Sequence, residues 1–175
     1  MTTRRSRIFF LPVCLFIAFT TAAQSPTAEN LPKYREVDAK LGTGGQPTDA
    51  GLRELAKNGY KAIINLRTAN EGVDLAAEEK LAKELGLRYV SIPVVTAVPK
   101  EEQADEFLKI LAELKDEKTF VHCAAANRVG GFVMIQQVMQ GGSSLEKAEE
   151  EAKQIGLRSE NLRQFAKDYI AKKKK

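Results

Sequence analysis

Histidine is all but missing from this chain and cysteine is scarce: His122 is the only histidine, and Cys14 and Cys123 are the two cysteines of 175 residues. His122 directly precedes Cys123, and successive side chains of an extended segment point to opposite faces, so it cannot serve Cys123 as a papain-type base. One histidine placed this way also argues against a Ser-His-Asp triad and against a histidine-built metal site. A long apolar run is missing too. Ile8 to Phe19 is nearly unbroken, but it falls short of the roughly 20 residues that span a bilayer. With Arg4, Arg5 and Arg7 before it and Thr21-Ala22-Ala23 after it, the run has the pattern of an export signal over residues 1–23, cleaved ahead of Gln24. The chain is therefore expected to be exported, periplasmic or secreted, with no stable membrane insertion after cleavage.

Cys14 would leave with the signal, so Cys123 has no partner for an internal disulfide. A lone thiol in an oxidising compartment is a liability unless it is buried or used. Excess charge is missing as well. The formal net charge of +4 falls to +1 without the three signal arginines, and to −3 when Lys172 to Lys175 are also set aside. The basic character belongs to the ends, and the body offers no nucleic-acid surface.

The remainder has the length and composition of one globular domain, at 43% hydrophobic and 29% charged residues. Residues 24–33 are expected to be a linker, 34–171 the domain and 172–175 a frayed, solvated lysine tail. Val37 to Gly45 is expected to be a strand broken by glycines whose flexibility suits a turn near a ligand. Thr48 should cap a helix that Gly59 ends, and Lys61 to Leu66 should be a buried strand. A helix over Asp74 to Leu85 and a strand over Leu87 to Ile92 follow. Ala104, Phe107, Leu108, Leu111 and Leu114 recur at helical spacing. After a further strand at Thr119, a helix should end at Gly141-Gly142, a capping box of Ser143 and Glu146 should start the next, and Ser159 the last. Alternating strands and helices, without an internal repeat, predict an α/β single domain with a mostly parallel central sheet flanked by helices. Ligands of such sheets bind beyond the C-terminal strand ends. That rim would gather the Gly44-Gly45-Gln46 turn, the Arg67 to Gly72 loop, the Thr96 to Lys100 loop and the loop after Cys123.

Thr119 to Val133 organises this plan. A short strand runs into His122 and Cys123, a loop of small residues follows, and Arg128 stands at a helix start. Unpaired amides and the positive helix end favour an anion there, and such sites lower a cysteine pKa from roughly 8.5 toward about 3.5–7.5. Arg128 adds a planar fork matched to two oxygens of a tetrahedral oxyanion.

His122, Cys123, a short loop and Arg128 in that order resemble the cysteine-dependent protein tyrosine and dual-specificity phosphatases. With Gly45-Gln46-Pro47 and Ile64-Asn65-Leu66-Arg67 upstream, the likeness is nearest to bacterial beta-lactamase-hydrolase-like phosphatase-like proteins. The resemblance implies that Cys123 is the nucleophile and that Arg128 and the amides of Ala124, Ala125, Ala126 and Asn127 hold a phosphoryl group. Arg67 and Gln46 would join the binding site and His122 would orient the loop. It implies hydrolysis of a phosphorylated substrate through a phosphocysteine, with no metal or other cofactor. The chain departs from that pattern in three ways. Four residues, not five, separate Cys123 from Arg128, a spacing shared with rhodanese-like sulfurtransferases. Ala126 and Val129 replace a usual glycine and hydroxyl, which would suit a catalytically poor oxyanion-binding module. The loop Pro93 to Pro99 lacks the customary acid, and Glu71 and Asp74 are the carboxylates that could reach the rim, although solvated helix-start positions describe them equally well.

Overall fold

A computed structural model describes residues 27–174; the expected signal peptide lies outside the described residues. Five strands form one mixed sheet: β1 (Arg35–Glu36), β2 (Leu41–Gly44), β3 (Ala62–Asn65), β4 (Arg88–Ser91) and β5 (Thr119–His122), in spatial order β1-β2-β5-β3-β4. All neighbours are parallel except the β1–β2 pair. The expected strand Val37–Gly45 is thus shorter. The Asp38 carboxylate accepts from Lys40 N and Leu41 N at 2.7 and 2.8 Å, and this side-chain turn reverses the chain between β1 and β2.

Six helices are present among the described residues: α1 (Asp49–Lys57), α2 (Leu75–Glu84), α3 (Glu101–Glu113), α4 (Asn127–Met139), α5 (Leu145–Ile155) and α6 (Glu160–Lys173). Their starts are local. Thr48, Asp74 and Ser159 each accept a first-turn amide, as side-chain caps do. At α5 the cap is Ser144, which accepts from Lys147 N, and not Ser143. Ser143 instead donates its own N–H to Gln137 O at 3.0 Å, closing the end of α4.

The period-2 alternation of the strands sorts side chains to two faces. Ile63 and Phe120 join Leu31, Leu52, Leu55, Tyr60 and Leu81 beneath α1 and α2. Ile64 and Val121 join the larger core with α3 to α6. Helix α4 is apolar around its whole circumference and accordingly buried from Arg128 to Ile135, with Phe132 edge-on to Phe107 at 5.5 Å.

Residues near both ends of the described chain contact the domain. Leu31 is fully buried, and Thr27 and Asn30 bond to Glu54. Helix α6 continues through Lys173, with Lys172 on Glu101 and Lys173 on Asp105 at 2.8 Å each. Glycine also acts differently near β2. Gly42, Gly44 and Gly45 do not adopt positive φ. They provide closeness instead: a Cβ on Gly45 would lie 3.1 Å from Ala124 O.

Candidate active site

The parallel register brings Gly44, His122, Asn65 and Ser91 to one level across four strands. The loops leaving that level therefore meet at one rim. Cys123 is the first residue beyond β5 and is 1% exposed. Ala124 to Ala126 then turn into α4 through Ala126, which takes a left-handed φ of 62° at the helix N-cap position and offers no side-chain cap. The first amides of a 13-residue helix are left for another acceptor, beside the thiol.

The loop is held from behind. Gln46 N donates to Ala124 O at 3.3 Å, Lys33 Nζ to Ala125 O at 3.4 Å, and Gly45 forms a bridge with Ala125. Asn127, whose amide was expected in the oxyanion cradle, engages its side chain outside the loop. Its Oδ1 accepts from Arg158 N and Ser159 N at 2.7 and 3.1 Å, tying the start of α4 to the α5–α6 turn. Its backbone amide alone stays at the loop.

Arg128 is 6% exposed and saturated on one side. Its Nη1 and Nη2 donate to Glu71 Oε1 and Oε2 at 2.5 and 2.7 Å, and Nη1 also donates to Val94 O at 2.9 Å. Burial opposes the guanidinium charge, but Glu71 and the neighbouring Cys123 outweigh it and raise the Arg128 pKa. The Arg128 guanidinium, helped by Thr68, holds the Glu71 carboxyl down at about 2. Glu71 is therefore a buttress of the site, not a solvated helix-start acid; Asp74 does take the helix-start role, as the cap of α2.

Behind this pair lies a buried polar layer. Glu78, 7% exposed, lies 2.9 Å from His122 Nε2 and accepts from Tyr89 OH at 2.9 Å, from Asn65 Nδ2 at 3.4 Å and from Gln46 Nε2. Burial pushes the Glu78 pKa up, yet His122 and the other donors hold it below the ordinary carboxylate value. His122 is fully buried and stacks on Phe120. Gln46 and Arg67, expected to touch substrate, belong to the same layer. Arg67 Nη1 donates to Gln46 Oε1 and Nη2 to Glu71 O, at 2.7 and 2.8 Å, while its Nε lies 3.3 Å from Glu71 Oε2.

At the rim Val94 O accepts from Arg128, and Asn161 Nδ2 donates to the Thr96 and Ala97 carbonyls at 3.1 and 3.0 Å. Val95 and Val98 remain exposed on the same turn. Of these residues, Glu78, Tyr89, Lys33 and the Val94 carbonyl carried no sequence signal. Chemically, the arrangement joins a buried thiol, free helix-start amides and an arginine, which is what a thiolate needs to attack a tetrahedral oxyanion.

Comparison with known proteins agrees with this geometry. A family described as DSP-PTPase phosphatase fused to NAD+ kinase matches residues 14–174. A beta-lactamase hydrolase-like protein from Xylella fastidiosa is 28% identical over 122 residues, covering 67% of this chain and 28% of that protein. This chain thus spans little more than a quarter of the length of that relative. A DUF442 protein from Shewanella putrefaciens CN-32 has the same fold, with a TM-score of 0.72 at 23% identity over 83% of this chain and 95% of the other. Tk-PTP in its active form gives 0.68 at 21% identity over 80% and 97%.

Proposed function

We propose that this chain, which belongs to the DSP-PTPase phosphatase family, is an exported phosphatase that cleaves a phosphomonoester through Cys123. One observation carries the reading: Cys123 sits at the floor of a helix-start loop with Arg128 beside it, at the C-terminal end of the central strand. The Cys123 thiolate attacks phosphorus, a sulfur–phosphorus bond forms, and the bond to the leaving-group oxygen breaks. Arg128 and the first α4 amides hold the non-bridging oxygens as their charge develops. Water then attacks the phosphocysteine, releasing inorganic phosphate and restoring the thiol. The departing oxygen needs a proton, and Glu71, ionised across the neutral range, does not supply it. The solvent must, which favours leaving groups that are stable as anions.

The four-residue Cys–Arg spacing also suits persulfide chemistry, but the family match and the phosphatase-like fold support phosphoryl transfer. Mass spectrometry on Cys123 tests the choice. After rapid acid quench with an aryl phosphate, a phosphoryl adduct is expected on the Cys123 peptide. A persulfide from thiosulfate with no phosphoryl adduct would reverse the assignment. Export is tested separately: protein recovered from the producing cells should begin at Gln24, and an intact N-terminus would refute cleavage.

A further inference from the structure

Among the described residues, the exposed large apolar side chains are Val95 and Val98, at 49% and 62%, and they stand on one turn. Val98 N donates to Val95 O at 3.0 Å, so the valines are the first and last residues of a four-residue turn and neighbours in space. Single scattered exposures carry no information, but a pair held side by side does. The turn is held from three directions. Asn161 Nδ2 donates to the Thr96 and Ala97 carbonyls at 3.1 and 3.0 Å, Gln103 Nε2 donates to Pro93 O at 2.5 Å, and the Val94 side chain is buried in the core. These main-chain oxygens are engaged, and the valine methyl groups face solvent. Pro93 to Pro99 has no charged residue, in a chain of which 29% of residues are charged.

Position gives the pair a use. Val94 O accepts from Arg128 Nη1 at 2.9 Å, and the Val95 Cα lies about 3.8 Å further along the chain from that of Val94. In-line attack by Cys123 puts the ester oxygen on the side of phosphorus remote from sulfur, so the group it carries must leave the loop toward the rim. Gln46, Arg67 and Glu71, also at the rim, are polar and bonded to one another or to Arg128. The exposed valines are the apolar surface beside them.

We infer that Val95 and Val98 form an apolar lip that packs against the group on the ester oxygen, and that the substrate is a phosphomonoester of an apolar alcohol or phenol, not of a sugar or another polyol. The inference rests on the oxyanion-binding reading of the site and names the substrate class for it. A hydroxyl-rich body would lose water from its hydroxyls against methyl groups that offer no hydrogen bond in return, whereas an apolar body gains by covering them. The lip touches the leaving group and leaves the phosphoryl oxygens to Arg128 and the first amides of α4.

Phosphonates test this without turnover. Methylphosphonate and hexylphosphonate share a charged head and differ in apolar length, so calorimetric binding to the purified protein isolates the lip. Hexylphosphonate should bind roughly tenfold tighter, about the worth of two buried methylenes. Phenylphosphonate, set beside it, tells a ring from a chain as the body that fits, and a gain with either upholds the lip. Dihydroxypropylphosphonate should bind no better than methylphosphonate; affinity equal to that of hexylphosphonate would overturn the apolar assignment. Replacing both valines, Val95→Thr with Val98→Thr, keeps the branched shape and adds hydroxyls, and most of the preference for the apolar body should disappear. Equal affinity of the wild-type protein for methyl-, hexyl- and phenylphosphonate would overturn the lip. A preference that survives intact in the double variant would place the apolar contact elsewhere and overturn it too. In the wild-type protein, hexylphosphonate should also shift the Val95 and Val98 methyl resonances in carbon–proton NMR beyond any shift that methylphosphonate gives, each signal being identified by its loss in the single threonine variant. Unmoved methyls in a protein that does bind hexylphosphonate would overturn the lip while sparing the oxyanion site. Wild-type protein that binds neither a phosphonate nor inorganic phosphate would refute the site reading, and the lip with it.

Discussion

Replacing Glu78 by glutamine should cost more stability than its place in the first turn of a surface helix suggests. Three donors converge on this carboxylate, Tyr89 OH, Asn65 Nδ2 and Gln46 Nε2, and His122 Nε2 lies 2.9 Å from it. Two effects compete. Burying a charge is costly, and a neutral glutamine would be relieved of that cost; hydrogen bonds to a charged acceptor contribute about 1.5–3 kcal/mol each and would be lost or weakened. The direction of the pKa settles which wins. The folded protein holds Glu78 below its ordinary value despite burial, so the donors outweigh desolvation and the ionised form is the better-held one. A glutamine keeps one acceptor oxygen and aims an NH2 at groups that are themselves donors. The net loss should be roughly 2–3 kcal/mol, two hydrogen bonds less the desolvation relief. For a domain of this size that corresponds to a Tm lower by about 5–10 °C, at roughly 2–4 °C per kcal/mol. The pH dependence has a definite sign. A depressed carboxylate pKa gives stability that is present above the unfolded-state value and is lost as pH falls through the lower folded value. The gap between wild type and Glu78→Gln should therefore be widest near neutrality and narrow in acid. Glu79→Gln serves as control, since its pair with Lys83 is exposed and worth at most about 0.5 kcal/mol. Equal melting temperatures for wild type and Glu78→Gln at pH 7 would refute the reasoning.

Phosphate or vanadate should raise the Tm of the wild-type protein, since a ligand of the folded state stabilises it by mass action, and Arg128→Ala should abolish most of that shift. Equal shifts in both would place the anion elsewhere. An aryl phosphate should be cleaved about 10²- to 10⁴-fold faster than an alkyl phosphate, the usual worth of a general acid, since Glu71 is ionised; similar initial rates would reveal an acid. Ser144→Ala should destabilise by about 1 kcal/mol and Ser143→Ala by far less in chemical denaturation, because only Ser144 caps α5 with its side chain. Gly130→Ala should destabilise by roughly 1–3 kcal/mol despite alanine's better helix propensity. Its Cβ would meet Ala152 O at 2.7 Å, and backbone cannot step aside as a side chain can; an unchanged or raised Tm would contradict this packing.

The chain alone determined the order of elements and the position of the reactive centre. Strand alternation at Ile63 and Ile64, the caps Thr48, Asp74 and Ser159, and the sequence Cys123, small loop, Arg128 are signals within one or two turns of backbone, and local geometry obeys them. Even where local rules miscarried, at Ser143 or at Val37 to Lys40, the error was a residue or a few. What tertiary structure decided is who faces whom. Glu71 and Arg128 are 57 positions apart. Nothing in either neighbourhood distinguishes a buttress from a solvated acid; only the parallel register, which levels Asn65 with His122, carries the Arg67–Glu71 loop over the start of α4. The same register buries Glu78 and joins Gln46 to it and Arg67 to Gln46. The Asn127 side chain accepts from a distant pair of amides, at Arg158 and Ser159. Hydrogen-bonding capacity is written in the residue, but its partner is chosen by the sheet that brings remote loops to one edge.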